Sequence, residues 1–317
     1  MMIKDAKILI RELFSEQYTL TIQSEVNAVD VFVTSTVQLR YDFHVLRIDH
    51  QHVEVRLIQL DNIVLEANNP MVKEVAQISQ VFGRMYNELH LLLDDSGKLI
   101  DVLNAPFILS KWKQTKAEMD NHIAGNDDLK NAIILNDALF TDPEKIKIAV
   151  EANEFLRIYF GQIYNKELPE TKKIPGTNIF NTQNMEWRLN IGSSVPLPAA
   201  AGVESLTITT TAEPATAING SFIRSAYAQF TNKIDFKDLR PILSQHETRI
   251  ISYQSGKLQE AAVQKSEIVA ENKLYNQLIY TLKSDSGIIF NNRDIEEQST
   301  ETQGTTEKES SNKFRFF

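Results

Sequence analysis

The sequence predicts an α+β protein built on a curved, mainly antiparallel β-sheet, a half-barrel with helices packed on its concave face. Three observations lead there. Apolar residues recur at every second position through residues 18–60, the period of strands with one buried face. Between residues 69 and 164 the spacing becomes helical. One hairpin signature also occurs twice: 88–99 and 247–258 each open on a glutamate, pass through an apolar run and end in Ser-Gly-Lys-Leu. Ser-Gly at that point marks a tight turn, because glycine reaches positive φ at little cost. The repeat leaves open an architecture of two related halves.

Taken in order, residues 2–14 set Met2, Ile3, Ala6, Leu9, Ile10, Leu13 and Phe14 at helical spacing, so a short amphipathic helix lying on the sheet is expected. Tyr18, Leu20 and Ile22 then alternate with polar residues. Val29, Val31, Val33, Val37, Leu39, Tyr41, Phe43 and Val45 hold one parity, against Asp30, Thr34, Thr36, Gln38, Arg40, Asp42 and His44 on the other. A run this long without glycine or proline requires strands that are long, curved or sharply bent. Val53, Val55 and Leu57 continue it past a polar turn near Asp49.

Asn69-Pro70 starts a helix over about 70–86, with Val72, Val75, Ile78, Phe82 and Met85 as its stripe. The first signature hairpin covers 88–103. Asn104 reads as the N-cap of a helix carrying Pro106, Phe107, Leu109, Trp112 and Met119, broken at Gly125-Asn126. Helices over 128–140 and 143–164 complete an insert at 106–164, the last one started by Asp142, Pro143 and Glu144. Its apolar positions are too many for one stripe, which predicts cover on more than one side.

Pro169, Pro175 and Gly176 mark 169–185 as a linker between an N-terminal sheet with its helical insert (1–168) and a C-terminal β-rich half (186–290). In that half 187–191, 206–211, 250–253, 258–263 and 274–282 read as strands. Residues 221–243 fit either period, up to the stop at Pro241. From Asn291 the composition is polar and cannot offset its ordering entropy by burial, so 291–317 is expected to be a disordered tail with an aromatic C-terminus.

A net charge of −9 argues against a nucleic-acid backbone or an anionic membrane surface as the main partner. With no cysteine, disulfides, thiolate catalysis and cysteine zinc sites are excluded. No apolar run approaches the roughly 20 residues of a membrane span. Lys4, Asp5, Lys7, Arg11 and Glu12 interrupt any signal-peptide core, so a cytoplasmic location is expected, or a periplasmic one if a leader was removed.

The two Ser-Gly-Lys-Leu hairpins, set among long strands and central helices, make the chain resemble the unclosed β-barrel of lipoprotein-carrier proteins of the LolA/LolB type. The hairpin is similar to ones in bacterial proteins of that shape. The resemblance implies helices plugging the concave face of a strongly curved sheet, and a hydrophobic small molecule or lipid held between the two. It transfers no functional residue, and the insert at 104–164 is large for those carriers.

Few residues are candidates for chemistry. Ser96-Gly97-Lys98 and Ser255-Gly256-Lys257 lack the upstream glycine and following hydroxyl of a phosphate loop. His44, His50, His52 and Asp42 share a parity, but on the polar face of a strand interrupted by a turn; no metal, cofactor or catalytic residue is assigned. His246, Glu247 and Arg249 form an acid–base trio on paper, yet strand neighbours face opposite ways, so all three cannot converge. Trp112, Phe155, Tyr159, Phe160 and Trp187 either line an apolar cavity between helices and sheet or pack as ordinary core. Phe314, Arg315, Phe316 and Phe317 are residue types that dominate interfaces, set here at the end of a polar arm. They point to docking on another protein or on a second copy of the chain. The expected role is non-catalytic: a binding, adaptor or assembly protein acting through its surface and tail. The alternative is a carrier of a hydrophobic small molecule or lipid in the sheet–helix cavity.

Overall fold

The computed structural model describes residues 7–49, 51–120, 127–140, 142–197, 199 and 202–287. Three long strands open the chain, β1 (Ser15–Ala28), β2 (Phe32–Ile48) and β3 (His52–Ala67). Helix α1 (Pro70–Gly83) leads to the first signature hairpin, β4 (Glu88–Asp94) and β5 (Leu99–Val102). Helices α2 (Ala105–Asp120), α3 (Asp127–Phe140), α4 (Pro143–Glu151) and α5 (Glu154–Phe160) follow. The chain returns through β6 (Glu170–Thr177), β7 (Asn184–Ser193), β8 (Ser205–Pro214), α6 (Gly220–Ala226), β9 (Ile242–Ser252), β10 (Leu258–Ala270) and β11 (Leu274–Ser284).

All eleven strands form one open, curved antiparallel sheet in the order β5-β4-β3-β2-β1-β11-β10-β9-β8-β7-β6. The chain leaves the centre at β1, walks to one edge, crosses to the other edge through the helices, and walks back to the centre. The seam is a full-length ladder of β1 on β11, with Leu20 opposite Leu282 and Ile22 opposite Tyr280. Register shifts near Val37, Tyr41 and Arg47 in the β2–β3 pair, and at both ends of β10, insert bulges that bend the strands. This is the α+β half-barrel that the alternation implied. The edges are blunted, β5 by its four-residue length and β6 by Lys172, Lys173 and Pro175.

The concave face carries the core, and α5 is its plug. Phe155, Leu156, Ile158, Tyr159 and Phe160 are all buried. Their rings meet those of the sheet: Tyr41 and Phe155 lie 4.8 Å apart, as do Phe43 and Tyr159. The Tyr159 and Tyr164 hydroxyls reach the second hairpin, at the Leu258 amide and the Gly256 carbonyl. Tyr18 donates to the Leu258 carbonyl. Burial raises all three phenols well above the ordinary range.

Several expectations are corrected. Residues 7–14, the described part of the predicted helix, form no helix; Ile8 and Ile10 are buried, and Arg11 N–H donates to the Ser255 carbonyl. Bridges to Tyr164 and Glu167 draw this segment into the core, which outweighs its helical spacing. The run of valines is broken at Val29, which takes φ 66° in the turn between β1 and β2. The side chain of Asn104 does not cap α2. It clamps the hairpin instead, accepting from His90 N–H and donating to the Glu88 carbonyl. The helix expected over 143–164 is two, because Asn153 caps a new helix by accepting from Leu156 N–H. Within the stretch read as a linker, 170–177 is the edge strand β6, a position that tolerates Pro175. The two signature hairpins also sit differently, one closing an edge and the other separated from the seam by β11 alone.

The unsettled stretch 221–243 becomes α6, a 3-10 turn and a loop, anchored on Glu267 of β10. That fully buried carboxylate accepts from Tyr227 O–H at 2.6 Å, Asn178 N–H at 2.8 Å and the Phe180 amide at 3.0 Å. Burial, then the neighbouring Glu267, drives the Tyr227 phenol upward. Tyr227→Phe removes one donor from a buried anion and is expected to cost about 1.5–3 kcal/mol. Urea denaturation measures it; an unchanged midpoint means that this carboxylate does not hold the loop.

Candidate functional site

Alternation on the concave face breaks over two paired strands. On β9 the buried parity runs Leu243, Gln245, Glu247, Arg249, Ile251, and on β10 it runs Ala261, Val263, Lys265, Glu267. Register sets Glu247 against Val263 and Thr210, and Gln245 against Lys265 and Ala212. Polar side chains therefore cluster where a core should be, and α5 lies over them.

Between α5 and strands β6–β11 they line a cavity of about 200 Å³. Its apolar wall is Ile158, Ile174, Trp187, Leu189 and Val263; its polar wall includes Glu154, Arg157, Glu247, Arg249 and Lys265. Arg249, 1% exposed, donates from Nη1 to Glu247 Oε2 at 2.5 Å and from Nε to the Ile158 carbonyl at 3.0 Å. The second of these bonds ties α5 to β9. Glu154 and Arg157 stand at the rim, exposed on one side. Lys265 is half-buried, with its Nζ 5.9 Å from the centre of the Tyr280 ring. Among the described residues it makes neither a hydrogen bond nor an ion pair.

The lining thus holds three cations, Arg157, Arg249 and Lys265, against two acids, Glu154 and Glu247, an excess of one positive charge. Lost hydration and then Arg157 lower the Lys265 amine, while Glu247 and Glu154 work to raise it. Desolvation raises the Glu154 carboxyl against the pull of Arg157 and Lys265. Burial, followed by Glu154, pushes the Tyr280 phenol up to about 12. A raised acid beside a lowered base is the signature of lost hydration, which works against the charged form of each.

The five aromatic residues expected at a cavity are dispersed. Trp187 lines this one, its Nε1 held by the Thr177 carbonyl at 2.9 Å. Phe155 and Tyr159 are fully buried core. Phe160 lines a neighbouring cavity of about 380 Å³ beside Gly97, which meets the first at Arg157, Gly161 and Gln162 and carries Lys98, Lys166 and Lys172. Trp112, stacked on Phe140 at 5.0 Å and donating to Asp137, lines a separate cavity of about 370 Å³ between α2 and α3. Of the paper trio, His246 lies on the opposite face, while Glu247 and Arg249 converge. Gln245 and Lys265 were missed, although their signal was in the sequence: polar residues at the buried parity of two strands that pair.

The histidines do not gather. His44 pairs with Asp42 and His52 with Asp49, and His50 lies outside the described residues. Among the described residues no three His, Asp or Glu side chains are placed to share a metal ion. Phe314, Arg315, Phe316 and Phe317 also lie outside the described residues. No described helix is long and apolar enough to cross a membrane.

No protein-family model and no curated protein matches the sequence. Among solved structures, one described as lipid–protein interactions in lipovitellin is similar over 86% of this chain, at 8% identity and a TM-score of 0.39. The chain spans 25% of the length of that one. Likeness of that degree says nothing about what this chain binds.

Proposed function

We propose that this protein is a non-catalytic binding protein that holds a small molecule, with one anionic group and an apolar body, between α5 and the sheet. One observation carries the reading: Lys265 turns an unpaired ammonium into a cavity with an excess of one positive charge, in a chain of net charge −9. Burying a cation without a hydrogen-bonded partner is costly, and a bound anion removes that cost. Trp187, Leu189, Ile174 and Val263 form an apolar wall beside it. Lys98, Lys166 and Lys172 around the adjoining cavity would steer an anion inward. About 200 Å³ falls short of the roughly 300–1,000 Å³ of a drug-sized pocket, so an entire lipid is not enclosed here. The tail residues Phe314–Phe317 remain an adaptor proposal resting on sequence.

Octanoate titrated into the full chain, followed by calorimetry, tests the reading. Lys265→Met is expected to weaken binding about 10- to 100-fold, the worth of a charge-assisted hydrogen bond. Octanol, of the same length without the charge, is expected to bind no better to the native chain than to the variant. The sign with pH follows from the ammonium. A bound anion favours charged Lys265, so affinity is full below the free protein's Lys265 pKa, which burial sets under the ordinary lysine range, and declines as pH rises through it. Equal affinity for native chain and variant, or none for octanoate at any pH, overturns the reading.

A further inference from the structure

The cavity is not the end of the apolar surface beside Lys265. On the sheet floor, Val263 pairs with Tyr280, Tyr280 with Ile22, Ile22 with Val37 and Val37 with Val64, one side chain from each of β10, β11, β1, β2 and β3. Five strands at about 4.8 Å spacing make that row about 19 Å long. Lys265 sits one step along β10 from its end, opposite Leu278. Val263 and Tyr280 are buried, whereas Ile22, Val37, Leu39, Val64 and Leu278 are each only half-buried.

The half-covered state has a physical source. Helix α5 lies over β10 and β11, and its rings cover Tyr18, Tyr41 and Phe43, toward the ends of β1 and β2 nearer the second hairpin. Helix α1 lies along β3, with Gln80 donating to the Asn62 carbonyl. At the other end Glu267 and Asn276 are roofed by Tyr227 and by residues 178–180. Among the described residues these covers leave Ile22, Val37, Leu39, Val64 and Leu278 half-buried, in a band that starts one step from Lys265.

We infer that the ligand is an anionic amphiphile of the fatty-acid type, its carboxylate at Lys265 and Arg157 and its hydrocarbon chain along Tyr280, Ile22 and Val37. This rests on the binding reading above and specifies its ligand class. Charge complementarity fixes the head, and the continuity of the row fixes the direction of the chain. The floor then completes its burial only with ligand present, and the 200 Å³ cavity serves as the headgroup site rather than the whole pocket.

The test is a length series of saturated carboxylates, butanoate to hexadecanoate, titrated into the delipidated full chain. Affinity is expected to rise about two- to fourfold per added methylene, as for partly to fully buried CH₂ groups. Val37→Asn, remote from the ammonium, is expected to flatten that rise for the longer acids and to leave the short ones unchanged. Binding that depends on Lys265 but not on chain length overturns the amphiphile and leaves the anion reading standing. No binding at any length overturns both. A dimer in native mass spectrometry that Val37→Asn dissolves gives the floor to a second copy, and overturns the inference too.

Discussion

Arg249→Met is expected to destabilise the protein by about 3–5 kcal/mol, the cost of leaving one partner of a buried ion pair alone. The guanidinium is only 2% exposed and the Glu247 carboxylate 20%, so water cannot readily take over from the lost partner. The Ile158 carbonyl at the end of α5 loses its donor as well. Removing both charges together, as Glu247→Leu with Arg249→Met, is expected to recover most of the loss, because apolar replacements of a buried pair are often neutral or better. Urea denaturation of the two variants separates the cases. A single-variant loss under about 1 kcal/mol would show the pair to be solvated, which the burial of Arg249 forbids.

The second large effect lies in the turn of the β9–β10 hairpin. Gly256 takes φ +73°, and a Cβ built on it would run into the backbone carbonyl of Leu9. Gly256→Ala is expected to cost about 2–5 kcal/mol, combining the left-handed backbone penalty with overpacking. Gly97, at φ +82° in the other hairpin, would instead meet the ring of Phe160. That ring borders a cavity of about 380 Å³ and has somewhere to retreat, so Gly97→Ala is expected to cost less, about 1–3 kcal/mol. Thermal melts of both variants check the order. The reverse ranking would mean that the N-terminal segment does not thread past Gly256 as described.

Both glycines were visible from the repeated Ser-Gly-Lys-Leu, and their need for positive φ is a local property. What each turn packs against was not. Lys257 of one motif pairs with Glu16 at 2.8 Å, and it is the N-terminal segment at Leu9 and Ile10 that lies against Gly256. The apolar spacing of that segment fits a helix as well as it fits alternate burial. Ile8 and Ile10 decide for the latter only because Tyr164 and Ser255, far along the chain, supply backbone partners. Pro175 and Gly176 misled in the same manner: they weaken a central strand, yet the outer side of β6 faces no strand.

The site was half legible. Trp187 was picked from its residue type. Phe155 and Tyr159 were singled out too, but their rings fill space between sheet and helix instead of framing it. Glu247 and Arg249 were noticed as a pair of charges, without the parity argument that puts both under α5.

Read alone, the sequence determined the alternating strands between residues 18 and 60, which of their faces is apolar, and where the two tight turns fall. Period-two burial and the φ of glycine act over a few neighbouring residues, so composition and spacing suffice. Tertiary structure alone decided that β1 lies beside β11, so that strands from opposite ends of the chain close one sheet, and that Lys265 shares a cavity with Glu154 and Arg157. Those pairings join residues separated by about a hundred positions or more. Their energy comes from burying surface that only the assembled sheet and helix enclose, and no local pattern encodes which distant surface will be the partner.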